Sequence, residues 1–177
     1  MGMVLGVRLK VLRGLAAGAA GTAAMTGHQE IRQRFARQDA RPDPGTADAD
    51  GIEELDPWES APAPAQVGKR LVEGALGRRV PPEAIPALAQ VMHWAYGTLW
   101  GGVYAFARGS SRSRSMLLGP LFGLGVWAAS YAQLVPLGIY EPPWRYPWRS
   151  LADEIGYHIT YGMTVALTYA TIAGGTA

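Results

Sequence analysis

The chain has 177 residues, of which 17% are charged and none is cysteine, and its formal net charge is +2. Without cysteine it can form no disulfide, thiol nucleophile, iron–sulfur cluster or thiolate zinc site, and so small a net charge gives no reason to expect a nucleic-acid partner. The mean hydropathy is only +0.02, but the charges cluster in blocks that alternate with nearly uncharged stretches. This alternation predicts an integral membrane protein.

The first uncharged stretch follows a basic start and is short and rich in Ala and Gly. Arg13 can lengthen it by placing its guanidinium among the headgroups, so we expect a retained span over about 12–29. The alternative is a cleaved secretory signal, because a basic start, a short apolar core and small residues around Ala24 are typical of one.

Residues 36–65 are rich in acidic residues, Pro and Ala and lack apolar periodicity, which predicts a disordered linker. Residues 66–80 place an apolar stripe along one helical face, formed by Val67, Leu71, Ala75 and Leu76. This stripe predicts an amphipathic helix lying at the membrane interface, or a solvated helix packed on the bundle.

Three later stretches are long and apolar enough to predict membrane spans, over about 88–107, 116–137 and 154–174. The connection over residues 135–151 contains four prolines, which interrupt regular structure. The aromatic residues there predict an interfacial belt formed by Tyr140, Trp144, Tyr146 and Trp148. Together with the first span, the sequence predicts an all-α, multi-pass membrane bundle of four helices.

The sequence contains an internal repeat, here called the sequence echo, which pairs the four predicted helices. The motif His-x-x-Tyr-Gly at 93–97 recurs at 158–162, an offset of 65, and the first and third spans share two glycines at an offset of 105, Gly14/Gly119 and Gly18/Gly123. The echo predicts two tandem helical hairpins, the first with the disordered insert in its loop. Small residues let helices approach closely, and the predicted packing glycines are Gly14, Gly18, Gly97, Gly101, Gly119, Gly123 and Gly162.

The topology also gathers ionisable and aromatic residues at one membrane face. This candidate polar site comprises His93, His158, Tyr96, Tyr161, His28, Asp153 and Glu154, and ionisable residues inside a membrane are functional candidates. Three interpretations stay open. The side chains fix the bundle by hydrogen bonds, His93 and His158 hold haem or a divalent metal, or an oligomer relays protons or small solutes.

The chain lacks the nucleophile elbow, the HExxH motif and the phosphate-binding glycine loop. These absences favour a structural or interaction role over catalysis, with no cofactor. The expected partners are the lipid bilayer and a second copy of the chain. Orientation stays open, because basic residues flank both predicted membrane faces.

Residues 131–144 and 153–158 resemble YagU-type bacterial inner-membrane proteins. The shared features are a Gly-rich helix ending in Pro, a loop of Pro and Trp, and a helix that starts with acidic residues, Gly and His. The resemblance covers about the C-terminal 90 residues, and Tyr157 here separates Gly156 from His158. It implies a location in the bacterial inner membrane and supplies no catalytic residue.

Overall fold

The computed structural model describes residues 2–39, 56–108 and 115–174. These residues form helices and turns without any strand, which confirms the predicted all-α class. The helices are α1 (Gly2–Asp39), α2 (Ala63–Leu76), α3 (Ile85–Ala107), α4 (Ser115–Leu134) and α5 (Trp148–Gly174), and short 3₁₀ helices occur at Pro82–Ala84 and Pro143–Arg145.

Two helices extend well beyond the apolar stretches that predict them. α1 continues to Asp39, past the span predicted over 12–29, because the Gln, Glu and Arg residues that follow are good helix formers. α5 begins at Trp148, so Asp153 lies in its second turn and not at its start. Within the described ranges, no helix combines the length and the apolar character needed to cross a membrane.

The chain divides into two compact units, a bundle unit of residues 1–28 and 93–177 and a second unit of residues 29–92. The second unit contains α2 and a small apolar cluster around Trp58, whose side chain is 7% exposed. Lys69 places its ammonium 4.8 Å from the centroid of the Trp58 ring. Of the predicted linker over 36–65, residues 40–55 lie outside the described residues. Its two ends are structured, since one belongs to α1 and the other carries Trp58 and the start of α2.

α2 is amphipathic, as residues 66–80 predict, and it ends at Gly77, whose φ of 62° is a left-handed cap. Its buried positions are Ala65 and Gly68. Leu71 and Leu76, from the predicted apolar stripe, are exposed. The stripe therefore faces away from the core of the second unit.

The bundle unit packs small and aromatic residues in its interior. The buried set contains several alanines and valines with three tyrosines, of which Tyr104 and Tyr161 are nearly inaccessible. Phe122 joins them, because its ring lies 5.0 Å from that of Tyr104 and is stacked on that of Tyr161 at 6.3 Å. Aromatic contacts thus link α3, α4 and α5.

Close backbone contacts at glycine hold α1 against α3. A Cβ built at Gly14 would lie 2.6 Å from the carbonyl oxygen of Gly101, and one at Gly18 would lie 2.7 Å from that of Gly97. Only glycine permits so close an approach.

The same contacts recur between α4 and α5, with Gly119 against Gly162 and Gly123 against the His158 carbonyl. The first helices of the two hairpins, α1 and α4, are related by an offset of 105 residues, as the sequence echo predicts. Their second helices, α3 and α5, are related by an offset of 61 residues and not by 65. His158 therefore stands in the place of Gly97, one turn away from the position that the shared motif assigns to it. Backbone proximity decides this register, because a helix pair closes where small residues meet.

Candidate functional site

Glu154 lies at the centre of the polar cluster at the start of α5. Its carboxylate oxygen Oε2 accepts a hydrogen bond from the hydroxyl of Tyr131 at 2.8 Å and one from the indole Nε1 of Trp127 at 3.3 Å. Both donors lie on α4, one turn apart, so the pair joins α4 to α5. Tyr131 and Trp127 are absent from the predicted site. Their spacing of four residues on one helix face was the signal that could have indicated them.

His158 is tied to the same residue through the backbone. Its Nδ1 lies 2.8 Å from the Glu154 carbonyl oxygen, and because that oxygen can only accept, Nδ1 carries the proton. The neutral imidazole then has its lone pair on Nε2. Tyr161, one turn after His158, donates to the carbonyl of Gly97, one turn after His93, so the two predicted histidines lie in the same region of the interface between α5 and α3.

The other two histidines have threonine partners. Nε2 of His93 lies 3.3 Å from the Thr26 hydroxyl, which joins α3 to α1. Nδ1 of His28 lies 2.9 Å from the Thr160 hydroxyl, and the His28 ring meets the Tyr157 ring edge-on at 5.0 Å. His28 thus joins α1 to α5.

The two predicted tyrosines complete the links between helices. The Tyr161 hydroxyl donates to the carbonyl of Gly97 at 2.6 Å, which joins α5 to α3. The Tyr96 hydroxyl accepts from Nε2 of Gln133 at 3.1 Å, which joins α3 to α4. Together with the bonds of Glu154, His93 and His28, these bonds mean that five pairs of helices in the bundle unit are each joined by a side-chain hydrogen bond. Asp153 is half-buried beside this cluster.

These polar contacts follow the packing register found for the glycines. His93 with Thr26 in the first hairpin corresponds to Glu154 with Tyr131 in the second, by the same offsets of 61 and 105 residues. Between the hairpins, His28 with Tyr157 corresponds to Gln133 with Tyr96. The counterpart of His93 is therefore Glu154, and His93 and His158 do not occupy equivalent positions in the two hairpins.

The loop before α5 closes over Tyr131. The rings of Tyr140 and Tyr146 lie 5.2 and 6.1 Å from that of Tyr131, and burial, together with the nearby Glu154 carboxylate, raises the pKa of the Tyr140 phenol to about 12. Trp144, in contrast, is largely exposed. The predicted aromatic belt therefore divides into inward tyrosines and outward tryptophans.

Among the described residues, no group of three or more His, Cys, Asp or Glu side chains is placed to hold a metal ion. Each imidazole of the cluster instead has a hydroxyl or carbonyl within hydrogen-bond distance. The arrangement suits mutual fixing of helices by a connected set of hydrogen bonds.

No protein-family model, curated protein or solved structure matches this chain. The resemblance to YagU-type proteins therefore stays a prediction.

Proposed function

We propose that this chain is an integral protein of the bacterial inner membrane, with a structural or interaction role and no catalytic one. One observation carries the proposal. The outward faces of the bundle unit expose large apolar side chains, namely Leu99, Val103, Phe106, Leu121, Met163, Leu167 and Ile172. Large apolar side chains exposed along helix faces mark contact with lipid or with another protein.

The exposed residues form stripes and not isolated positions. On α3, Leu99, Val103 and Phe106 follow a spacing of four and three residues, which is one helical face, and Leu99 is 64% exposed. On α5, Met163 and Leu167 are one turn apart and both are about half exposed.

The interior has the opposite character. Glycine, tyrosine, threonine and histidine face inward, and side-chain hydrogen bonds connect the helices there. Small residues and interhelical hydrogen bonds are what associate helices in lipid, where apolar burial gives no driving force. No described helix has the average apolar character of a membrane span, and the distribution of residues around each helix accounts for this. The inward polar residues lower the average hydropathy of each helix, whereas only the outer stripes would meet lipid.

Spin labels at single cysteines test the proposal, and the cysteine-free sequence needs no prior substitution. We expect labels at Leu99→Cys and Leu167→Cys in proteoliposomes to collide readily with oxygen and poorly with a water-soluble nickel chelate. The exposed turn residue Ser60, as Ser60→Cys, is the matched control and should show the reverse. Equal nickel access at all three positions would refute the membrane location. Poor access to both reagents at Leu99 and Leu167 would mean that another protein surface covers the stripe, and would also refute lipid contact.

A second candidate, proton or small-solute transport by an oligomer, is favoured by Glu154. This half-buried carboxylate begins the last predicted span and has a tyrosine donor at 2.8 Å. The test is proton flux into proteoliposomes that contain a pH-sensitive dye. Flux that is present in the parent protein and lost in Glu154→Gln would support transport, and a parent protein without flux would exclude proton transport. Haem or metal binding by His93 and His158 stays a prediction of the sequence.

A further inference from the structure

The two most exposed large apolar side chains among the described residues lie in the loop before α5 and in the first turn of that helix. They are Trp144, which is 81% exposed, and Trp148, which is 73% exposed. Tryptophan is highly buried on average, and where it is exposed it is enriched at protein interfaces and at the surfaces of membranes. Two outward indoles within five residues therefore indicate a surface that contacts something other than water.

The loop holds these indoles outward because its tyrosines are fixed inward. Tyr140 and Tyr146, on either side of Trp144, pack on the ring of Tyr131 at 5.2 and 6.1 Å. The Tyr146 hydroxyl also accepts a hydrogen bond from the backbone N–H of Glu141 at 3.0 Å. The inward tyrosines thus attach the loop to the bundle unit, and the exposure of the indoles follows from this attachment.

Trp148 begins an outward apolar stripe along α5. At about 3.6 residues per turn, Trp148, Met163 and Leu167 lie within about 100° of the helix circumference, and all three are exposed. Because Trp148 is the first residue of the helix, the stripe runs from an indole at one end to aliphatic side chains further along. A helix that enters a membrane has this order, with tryptophan at the headgroups and aliphatic side chains in the hydrocarbon.

The spacing along α5 agrees with the dimensions of a bilayer. Trp148 and Met163 are separated by about 22 Å along the helix axis, which is half of the roughly 40–45 Å that a bilayer measures with its headgroups. With Trp148 among the headgroups, Met163 therefore lies near the midplane. Glu154 is about 9 Å from Trp148 by the same measure, so the polar cluster lies just inside the headgroup layer.

Positive charge accompanies the indoles. The Arg149 guanidinium lies 5.6 Å from the centroid of the Trp148 ring, and its side chain is exposed. Arg145, beside Trp144, is paired with Glu141 at 2.8 Å, so Arg149 gives the loop its net positive charge. Lipid phosphates complement this charge. An indole at that level also keeps its ring in apolar surroundings and its N–H in polar ones, which favours lipid headgroups as the contact of this surface.

We propose that Trp144, Trp148 and Arg149 contact the phosphate and glycerol region of a phospholipid bilayer, and that this contact places Met163 near the midplane. The inference rests on the proposed membrane location and deepens it, because it names the part of the lipid that the loop contacts and the depth of α5.

Spin labels along α5 test the depth. Labels are attached singly at Trp144→Cys, Trp148→Cys, Met163→Cys and Leu167→Cys in proteoliposomes of phosphatidylcholine, and the ratio of oxygen to nickel-chelate collisions is measured. We expect the highest ratio at Met163 and a lower one at Leu167, which lies past the midplane. The ratio should be lower again at the two tryptophan positions, and lowest at Ser60→Cys, the control in water.

The outcomes separate this proposal from the membrane location. A ratio at either tryptophan position as low as at Ser60 would place the loop in water, and one as high as at Met163 would place it in hydrocarbon. Either result would overturn the headgroup contact while a high ratio at Met163 leaves the membrane location standing. Poor access of both reagents at Trp144 and Trp148 would mean that protein covers the loop, and would also overturn the contact. A ratio at Met163 as low as at Ser60 would refute the membrane location itself.

Because each label replaces an indole, fluorescence quenching tests the indoles themselves. The quencher is phosphatidylcholine brominated near the carboxyl ends of its acyl chains, close to the glycerol. We expect the quenched fraction of tryptophan fluorescence to fall in Trp144→Phe and in Trp148→Phe. Trp127→Phe is the matched control, since it removes one inward indole that bonds to Glu154, and it should not lower the fraction. The same fall in all three variants, or no fall in the two loop variants, would overturn the proposal.

Discussion

His93 and Glu154 occupy equivalent places in the two helical hairpins of the bundle unit. Each bonds to the residue at the equivalent place on the first helix of its own hairpin, Thr26 for His93 and Tyr131 for Glu154. The equivalence holds although neither the pair nor its partners share a residue type. It follows from the glycine contacts one and two turns along, which set the register of both hairpins.

The glycine contacts predict a strong position dependence for alanine substitution. A Cβ at Gly101 would overlap the backbone of Gly14 and Gly18, whereas one at Gly125 would meet nothing within 4 Å. We expect Gly101→Ala to lower the free energy of unfolding by about 1–3 kcal/mol through overpacking. Gly125→Ala should raise it by about 0.5–1 kcal/mol, since alanine is the better helix former. Denaturant titration in mild detergent measures both, and similar effects at the two positions would contradict the packing.

The register itself predicts which cysteine pair can form a disulfide. A Cβ at Gly119 would lie 3.1 Å from that of Ala166, close to the separation that a disulfide requires. We expect Gly119→Cys with Ala166→Cys to cross-link on mild oxidation. The matched pair, Gly119→Cys with Ala170→Cys, tests the register of the shared histidine motif and should stay reduced. Mobility shifts on gels report the outcome, and the reverse pattern would restore the offset of 65 residues.

The two equivalent hydrogen bonds should differ in strength. Tyr131 donates to a carboxylate, whereas Thr26 pairs with an imidazole at the longer distance of 3.3 Å. We expect Tyr131→Phe to lower the free energy of unfolding by about 1.5–3 kcal/mol and Thr26→Val by about 0.5–1 kcal/mol. Adding Glu154→Gln to Tyr131→Phe closes a double-mutant cycle. A coupling energy near zero would show that the Tyr131 bond contributes nothing.

Two buried tyrosines should respond in opposite directions to loss of the hydroxyl. Tyr161 donates to the Gly97 carbonyl at 2.6 Å, so Tyr161→Phe should cost about 0.5–1.5 kcal/mol. The Tyr104 hydroxyl has no partner among the described residues. Tyr104→Phe should therefore leave the protein unchanged or more stable in thermal unfolding. Equal losses would mean that the two hydroxyls are equally bonded.

The buried phenol of Tyr140 predicts a loss of stability at high pH. Its pKa is raised from 10.0 to about 12 in the folded protein, so between these values the unfolded chain loses a proton that the folded chain keeps. Stability that is complete below pH 10 is therefore lost as the pH rises towards 12. Tyr140→Phe should make this loss shallower, and phenolate absorbance should show one fewer late-titrating tyrosine. Glu154→Gln should shift the Tyr140 titration down by less than burial shifts it up. An unchanged pH profile in Tyr140→Phe would contradict the burial.

The sequence predicts the helical class and the glycines that close each hairpin, because small-residue spacing and close helix packing have the same period. It misplaces the second-helix register, since the repeated His-x-x-Tyr-Gly motif matches residue identities and not backbone contacts. It also leaves out Trp127 and Tyr131. Their spacing of four residues places them on one face of α4, but the identity of Glu154 as their partner depends on the distance between α4 and α5. A search for apolar stretches does not predict that α1 continues to Asp39, because that part of the helix consists largely of polar residues that favour helix formation.

The two hairpins differ in sequence but pack in the same register, so the bundle unit is arranged like a twofold-symmetric dimer joined into a single polypeptide. A dimer of identical half-length chains would have to carry the same residue at both members of each equivalent pair. Fusion removes that requirement. One hairpin can keep a glycine at position 97, where α1 must approach, while its twin places His158 there with only its backbone in the contact. The two halves can thus carry different residues at equivalent places and keep the same helix packing.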